Sequence, residues 1–167
     1  MSVETTTHPT LAKWRRMRRW PGGAWLFSRM AGWRIPFTGV IGARVEHFEP
    51  GHVRVSMADR RRVRNHLRSL HFGALATLAE YPTGLSLIAA LGPGWRFIMV
   101  EMHLSFEKKA RGRVVAEAHF DPAQAAPEGG ARDVPIESVV RDAAGDVVAR
   151  GRYVWNIRPP TVPPPAA

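Results

Sequence analysis

From Phe72 to Ala90 the chain carries a single charged side chain, Glu80, in a stretch otherwise rich in alanine and leucine, with leucines at 75, 78, 85 and 87. Such a run of helix formers predicts the one long helix of the protein. Pro82 and Gly84 oppose it locally, because proline lacks a backbone donor and crowds the preceding turn, so a kink is expected near them. Alternating or β-branched segments lie on either side. Val40–Phe48 and His52–Ala58 flank Glu49-Pro50-Gly51 as the arms of a hairpin do. After the Gly92-Pro93-Gly94 turn come Trp95–Glu107, Gly112–Asp121, Ile136–Asp142 and Val147–Ile157. Two strands, a long helix and four further strands with hairpin-length connections predict an α+β fold, a curled antiparallel sheet of about six strands around one central helix.

The N-terminal part has a different character. Thr10 to Arg34 sets Leu11, Trp14, Met17, Trp20, Trp25 and Phe27 among Lys13, Arg15, Arg16, Arg18 and Arg19, and Pro21-Gly22-Gly23 interrupts it. This predicts two short amphipathic helices around a turn, with Pro36 ending the segment. The expected organisation is a basic helical segment at 1–36, the sheet-and-helix domain at 37–158 and a Pro-rich tail at 159–167. The stretch 122–130 and the tail are expected to be exposed and mobile. For Trp14 to Trp20 the ordinary expectation is aromatics packed on the domain and arginines in water.

Composition narrows the chemistry. A length of 167 residues fits one domain. The absence of cysteine removes disulfides, thiolate metal sites and a cysteine nucleophile. No apolar run approaches the roughly 18 residues of a membrane span, and the start lacks the order of a secretory signal, so a soluble cytoplasmic protein is expected. A net charge of +10, from 24 Lys+Arg against 14 Asp+Glu, predicts attraction to nucleic acid, an acidic membrane or a phosphate-bearing ligand. There is no GxGxxG, Walker, HExxH or GxSxG pattern. His47, His52, His103 and His119 fall on predicted strands with no carboxylate cluster or paired spacing, and no metal site is expected there.

The densest chemistry runs from Asn65 to Glu80. A helix start presents unpaired backbone N–H groups and a positive dipole end, which can hold a carbonyl oxygen as charge develops on it. Phe72 and Gly73 would supply those groups. Glu80, the only acid on the helix, would attack a carbonyl carbon or activate water. Asn65 would orient that water or the carboxylate, and His71 would donate to the carbonyl. At roughly 1.5 Å per residue, Phe72 and Glu80 lie about 12 Å apart along the helix, too far to meet at one carbonyl. Two antiparallel copies related by a two-fold axis would bring each Glu80 to the other's helix start.

Here the sequence resembles the hotdog-fold thioesterases of the phenylacetate-pathway and 4-hydroxybenzoyl-CoA type, and is closest to a largely uncharacterised bacterial branch of them. In those enzymes an Asn, a His six residues on and an acid nine after the His mark the site, and Asn65, His71 and Glu80 match those spacings. Pro36-Phe37-Thr38-Gly39, Val63-Arg64-Asn65-His66, Gly73-Ala74-Leu75 and Lys108-Lys109-Ala110-Arg111-Gly112 extend the resemblance over roughly Trp14 to Ile157. It implies a hotdog fold, a homodimer or dimer of dimers, and an acyl chain bound between subunits. The enzymes usually carry two glycines after the His, where this chain has Phe72 and Gly73. Some place a hydroxyl residue four after the acid, where this chain has Gly84.

The resulting expectation is an acyl-CoA or acyl-carrier thioester hydrolase, with coenzyme A present only as part of the substrate. Arg61, Arg62, Arg64, Lys108, Lys109 and Arg111 are candidates for its phosphates. A non-catalytic hotdog that binds acyl-CoA or a lipid-like ligand is the first alternative, motivated by Phe72 and Gly84. A nucleic-acid or anionic-membrane module is the second, motivated by the charge and the Trp/Arg segment. Nucleic acid is not expected as a partner of the enzyme, whereas peripheral membrane contact is compatible with it.

Overall fold

The structure, a computed structural model, describes residues 7–125 and 130–160. Parts of the loop and tail anticipated as mobile, 126–129 and 161–167, lie outside the described residues. Three helices open the chain: α1 (Pro9–Met17), α2 (Gly23–Arg34) and α3 (Pro36–Ile41). The hairpin β1 (Arg44–Glu49) and β2 (Gly51–Met57) follows, then α4 (Phe72–Ala90) and the strands β3 (Arg96–Phe106), β4 (Val114–Phe120), β5 (Arg132–Arg141) and β6 (Val147–Arg158). Short 3-10 turns occupy Arg61–Val63 and Pro122–Ala125.

The strands form one antiparallel sheet in the order β1-β2-β4-β5-β6-β3. It curls around α4, as the order of elements predicts. The alternation of side chains explains why. Val53, Val55 and Met57 of β2, Val114, Ala116 and Ala118 of β4, and Tyr153, Trp155 and Ile157 of β6 all turn inward and are buried. Together they face a helix that has no polar side to give to water, with Leu78 and Leu87 fully enclosed. The helix runs unbroken through Pro82 and Gly84. Nearby hydroxyls take up main-chain acceptors there: Thr83 Oγ1 donates to the Glu80 carbonyl at 2.7 Å and Ser86 Oγ to that of Pro82 at 2.8 Å.

Two boundaries differ from the sequence reading. The first strand begins at Arg44, and the residues before it are helical, because Pro36 opens α3 instead of ending the segment. In the first turn of a helix the missing proline donor costs nothing and its φ is already helical. Gly42, at φ 64°, then stops the helix. At the other end, β5 starts at Arg132 and includes Pro135. The pairing with β4 begins only at Ser138, so Pro135 lies where no ladder bond to β4 is required.

The helices α1–α3 pack against the β1 side of the sheet. Leu11 and Trp14 of α1 and Phe27 of α2 join the main core, with Trp14 set edge-on to Phe27 at 5.2 Å and near Phe48 of β1 at 6.4 Å. The expectation for Trp14 to Trp20 holds only for Trp14, which is buried while Arg15 and Arg18 reach Glu49 at 2.6 and 3.3 Å; Trp20, past the end of α1, is 74% exposed. Between α2 and α3 the backbones touch at glycines: a methyl on Gly39 would lie 2.3 Å from the Gly32 carbonyl oxygen. Among the described residues no helix is long and apolar enough to cross a membrane. Replacing Gly39 with alanine is expected to lower stability by about 1–3 kcal/mol through overpacking, to be read from the midpoint of urea unfolding.

Candidate active site

The site residues lie on a loop that the fold holds tightly and on the helix that follows it. Residues 64–70 close on themselves through an Arg64–Leu70 bridge, and the His71 amide donates to the Val63 carbonyl at 2.8 Å. Asn65 organises the turn. Its side-chain oxygen accepts from the Leu67 amide at 2.9 Å, the Ser69 amide at 3.2 Å and the Ser69 hydroxyl at 3.1 Å. With the oxygen fully engaged, the amide group of Asn65 keeps its donors unpaired among the described residues. One side chain therefore both shapes the loop and offers an N–H.

His71 caps α4. Its Nδ1 accepts from the Gly73 amide at 3.0 Å, which in the neutral ring leaves the proton on Nε2 as an outward donor. A methyl on Gly73 would come within 3.2 Å of that Nδ1, a tight contact that would press on the capping ring. The same bond revises the sequence reading of the helix start. The Gly73 amide is already spent on His71, and of the expected pair only the Phe72 amide has no acceptor among the described residues. The Phe72 ring is 64% exposed, stacks on His71 at 4.4 Å and meets Phe106 edge-on at 6.3 Å.

Glu80 stands two turns further along, on the least buried stripe of α4, with Gly73, Ala76 and Thr77. It is half-buried and its carboxylate has no hydrogen-bond or ionic partner among the described residues. Burial pushes its pKa above the ordinary carboxylate value. The main chain around it is fixed from the sheet. Ser138 Oγ on β5 donates to the Ala79 carbonyl at 2.6 Å, and Trp155 Nε1 on β6 donates to Thr83 Oγ1 at 3.0 Å. Gly84 leaves room between that indole and the acid, since a methyl there would sit 3.3 Å from the Trp155 ring and 3.7 Å from Glu80 Oε1. The neighbouring phenols of Tyr81 and Tyr153 are pushed up, chiefly by burial and further by the Glu80 charge.

The basic candidates come together from two separate loops. The Leu70 amide bonds the Ala110 carbonyl and the Gly112 amide bonds Asp59, each at 2.9 Å, which lays the Arg61–Arg64 run beside Lys108–Arg111. Two of the cations are taken within the fold. Arg64 pairs with Asp59 at 2.6 Å, and Lys108 with Asp142 at 2.7 Å and Asp146 at 2.6 Å. Arg111 is a further charge near Asp59. Arg61, Arg62 and Lys109 have no acidic partner among the described residues. Arg62 also joins Arg29, Arg44, Arg60 and Arg113 along a cleft of about 790 Å³ beside Trp25 and Trp33, which the sequence reading did not anticipate. The cleft is assembled from α2, α3, β1 and the Arg60–Arg62 loop, so no local spacing announces it.

The histidines also gain neighbours that linear spacing hides. Strand register sets His52 opposite His119 and Arg54 opposite Glu117. The His52 and His119 rings stack at 4.4 Å with His47 alongside, and ligand atoms of His52, Glu117 and His119 lie within 4.8 Å of one another. His103, on a different strand, binds Glu101 at 2.7 Å. The sequence reading, which finds no carboxylate cluster or paired ligand spacing with these histidines, is thus corrected for His52 and His119, which register groups with Glu117. Arg54, however, holds the same Glu117 oxygen at 3.5 Å and Glu46 at 3.4 Å, so a guanidinium already serves the acidic side of the cluster.

Solved structures with this architecture are numerous. A Pseudomonas aeruginosa protein of unknown function, described as a probable thioesterase, superposes with a TM-score of 0.71 and 31% identity over 78% of this chain and 92% of its own. A thioesterase from Haemophilus influenzae matches at 0.62 with 16% identity over 72% of this chain and 81% of its own. A mutant thioesterase from Staphylococcus aureus matches at 0.64 with 20% identity over 74% and 99%, respectively, and these last two share the fold. The fold, with the likeness to the Pseudomonas protein, marks a hotdog protein of the thioesterase superfamily. A family model described as a domain of unknown function, DUF4442, matches residues 23–157, and the chain belongs to that family. No curated protein matches it.

The unpaired acid has a measurable consequence. Because the folded state raises the pKa of Glu80, ionising it costs stability as the pH climbs from the ordinary carboxylate value through the raised one. Glu80→Gln is therefore expected to be more stable than the native protein at neutral pH, with the gain vanishing below the unfolded carboxylate pKa. Chemical denaturation at several pH values reads this directly.

Proposed function

We propose that this protein hydrolyses acyl thioesters, with acyl-CoA as the leading substrate class, at a site shared by two subunits. The observation that carries the reading is the half-buried, unpartnered Glu80, fixed on a rigid helix that offers it no stabilisation. A structural role would pair or solvate such a group, whereas a base working near neutral pH needs a raised pKa. The Pseudomonas protein described as a probable thioesterase supports the same chemistry.

Along one helix the acid and the capped N-terminus stand about 12 Å apart, at roughly 1.5 Å per residue, so each site draws on two copies. The edge strand β3 is suited to bring them together. Its outer backbone groups are unpaired by the sheet order, and it exposes Ile98, Val100, Met102 and Phe106, features that monomeric proteins avoid on sheet edges. In the resulting dimer the thioester oxygen would accept from the Phe72 amide and from His71 Nε2–H, with the Asn65 amide as a further donor to it or to water. Glu80 of the other subunit would either add to the carbonyl carbon or remove a proton from water as the water oxygen adds. Collapse of the tetrahedral oxyanion then breaks the C–S bond and the thiolate takes up a proton; where Glu80 itself has added, the resulting acyl-glutamyl anhydride is hydrolysed by water, which releases the free acid and restores the carboxylate. Arg61, Arg62 and Lys109, with Arg111 nearby, would meet the phosphates of coenzyme A.

Ligand binding without turnover is the second reading, favoured by Phe72 standing over the helix start and by the loss of the Gly73 amide to the cap. Thiol release from short, medium, long and aromatic acyl-CoAs separates the two. Glu80→Ala is expected to lower kcat/KM by about 10²–10⁴-fold with the oligomer intact. Asn65→Asp, which keeps the loop acceptor and removes the N–H donors, should lower kcat with little loss of stability. Saturable binding with no hydrolysis of any acyl-CoA would establish the second reading instead.

A further inference from the structure

The helix pair α2–α3 presents its apolar side chains outward. Of the large residues on α2 only Phe27 is buried, while Trp25, Leu26, Met30 and Trp33 face water, the last at 86% exposure. Ile35 follows, and α3 adds Phe37, 69% exposed, and Val40, while Thr38 and Ile41 turn inward. Trp20, in the turn that leads into α2, is exposed beside them. Large apolar side chains exposed together on two adjoining helices are the mark of an interaction surface. The Gly32–Gly39 contact locks the two helices together, so the side chains form one platform.

Cations are interleaved with this surface. Arg29 lies over the Trp25 ring at 5.9 Å, Arg34 ends α2, and Arg16 on α1 and Arg19 just after it are exposed. The sequence has no acidic residue from Thr7 to Val45. A second copy docking here would press like charges together while burying them. Nucleic acid would satisfy the arginines and stack on the indoles, but would leave Leu26, Met30, Ile35 and Val40 without a partner. An anionic bilayer surface satisfies both, since hydrocarbon takes the aliphatic side chains, the headgroup layer suits tryptophan, and lipid phosphates pair with guanidinium. The platform packs on β1, at the opposite end of the sheet order from β3, so occupying it leaves the proposed dimer edge free.

We infer that the α2–α3 platform docks the protein peripherally on anionic phospholipid membranes, with Trp33 and Phe37 entering the interface and Arg29 and Arg34 holding lipid phosphates. This inference does not rest on the proposed hydrolase activity. The test is co-sedimentation of the full chain with phosphatidylcholine vesicles with and without phosphatidylglycerol, at low and high salt. Binding is expected only to the anionic vesicles, weakening with salt, with a blue shift of tryptophan emission. Each arginine near an anionic surface strengthens partition about fivefold, so Arg29→Glu with Arg34→Glu should weaken it by more than an order of magnitude. Trp33→Ser with Phe37→Ser should reduce partition at least about tenfold. Both double variants should keep native circular dichroism and oligomeric mass, and because vesicle binding is read with no acyl-CoA present, its failure is distinct from failure of the catalytic reading. The inference is overturned if the wild-type chain fails to sediment with anionic vesicles at low salt, or if both variants bind as the wild type does. It is equally overturned if the variants change the oligomeric mass, or if duplex DNA is bound while vesicles are not.

Discussion

A helix that is apolar on every side cannot stand in water, and α4 exists because six strands close around it. That single enclosure sets the rest of the molecule. The sheet must curl to cover it, the inward positions of β2, β4 and β6 must be apolar, and the ends of the helix must be finished by the loops that enter and leave it. It also sets the terms for Glu80. A carboxylate on such a helix loses solvation and gains no partner, so the enclosure that stabilises the fold is what raises the acid's pKa. At this position burial favours the fold and disfavours the charged acid.

The sheet holds the helix backbone in register as well as covering it. Ser138 and the Trp155–Thr83 pair bind main-chain or side-chain oxygens on either side of Glu80, so the acid is fixed by its backbone and its carboxylate stays open. At the N-terminus the order is reversed. There the side chains of Asn65 and His71 do the anchoring with one atom each, and their other nitrogens have no partner among the described residues. Both ends of the proposed site thus combine groups anchored within the fold with polar atoms that have no partner among the described residues, the arrangement that the proposed chemistry requires.

How much of this is legible in the sequence depends on the range of the interaction involved. Alternation and helix-forming density are local, and they give the six strands and α4 with boundaries shifted by a few residues. The helix α3 is misread because Val40 to Phe48 alternates as a strand does, while the deciding contact is the tertiary approach of Gly39 to Gly32. In the site, the spacing of Asn65, His71 and Glu80 can be read along the chain. The loss of the Gly73 amide to His71 cannot, since it depends on a side-chain torsion. The ion pair that occupies Lys108 joins residues 38 apart in sequence and the one that occupies Arg64 joins residues five apart across a turn, and composition counts both cations as free. The cluster of His52, His119 and Glu117 is a product of cross-strand register alone.

The N-terminal helices show the same limit from another side. In composition α1 and α2 are alike, each carrying tryptophan and arginine, and one rule would give both the same behaviour. The structure separates them by what lies opposite. On α1, Leu11 and Trp14 find the gap between Phe27 and Phe48 and are buried, and Arg15 and Arg18 find Glu49. On α2, Phe27 alone fills the space available against β1, because the core behind it is already closed by Trp14 and Phe48. The indoles at 25 and 33 are then excluded for want of room, and no acid in that part of the chain is placed to pair with Arg29 or Arg34. The outward face of α2 is therefore a consequence of a completed core, and a surface of that composition is balanced only by a partner that is both apolar and negatively charged.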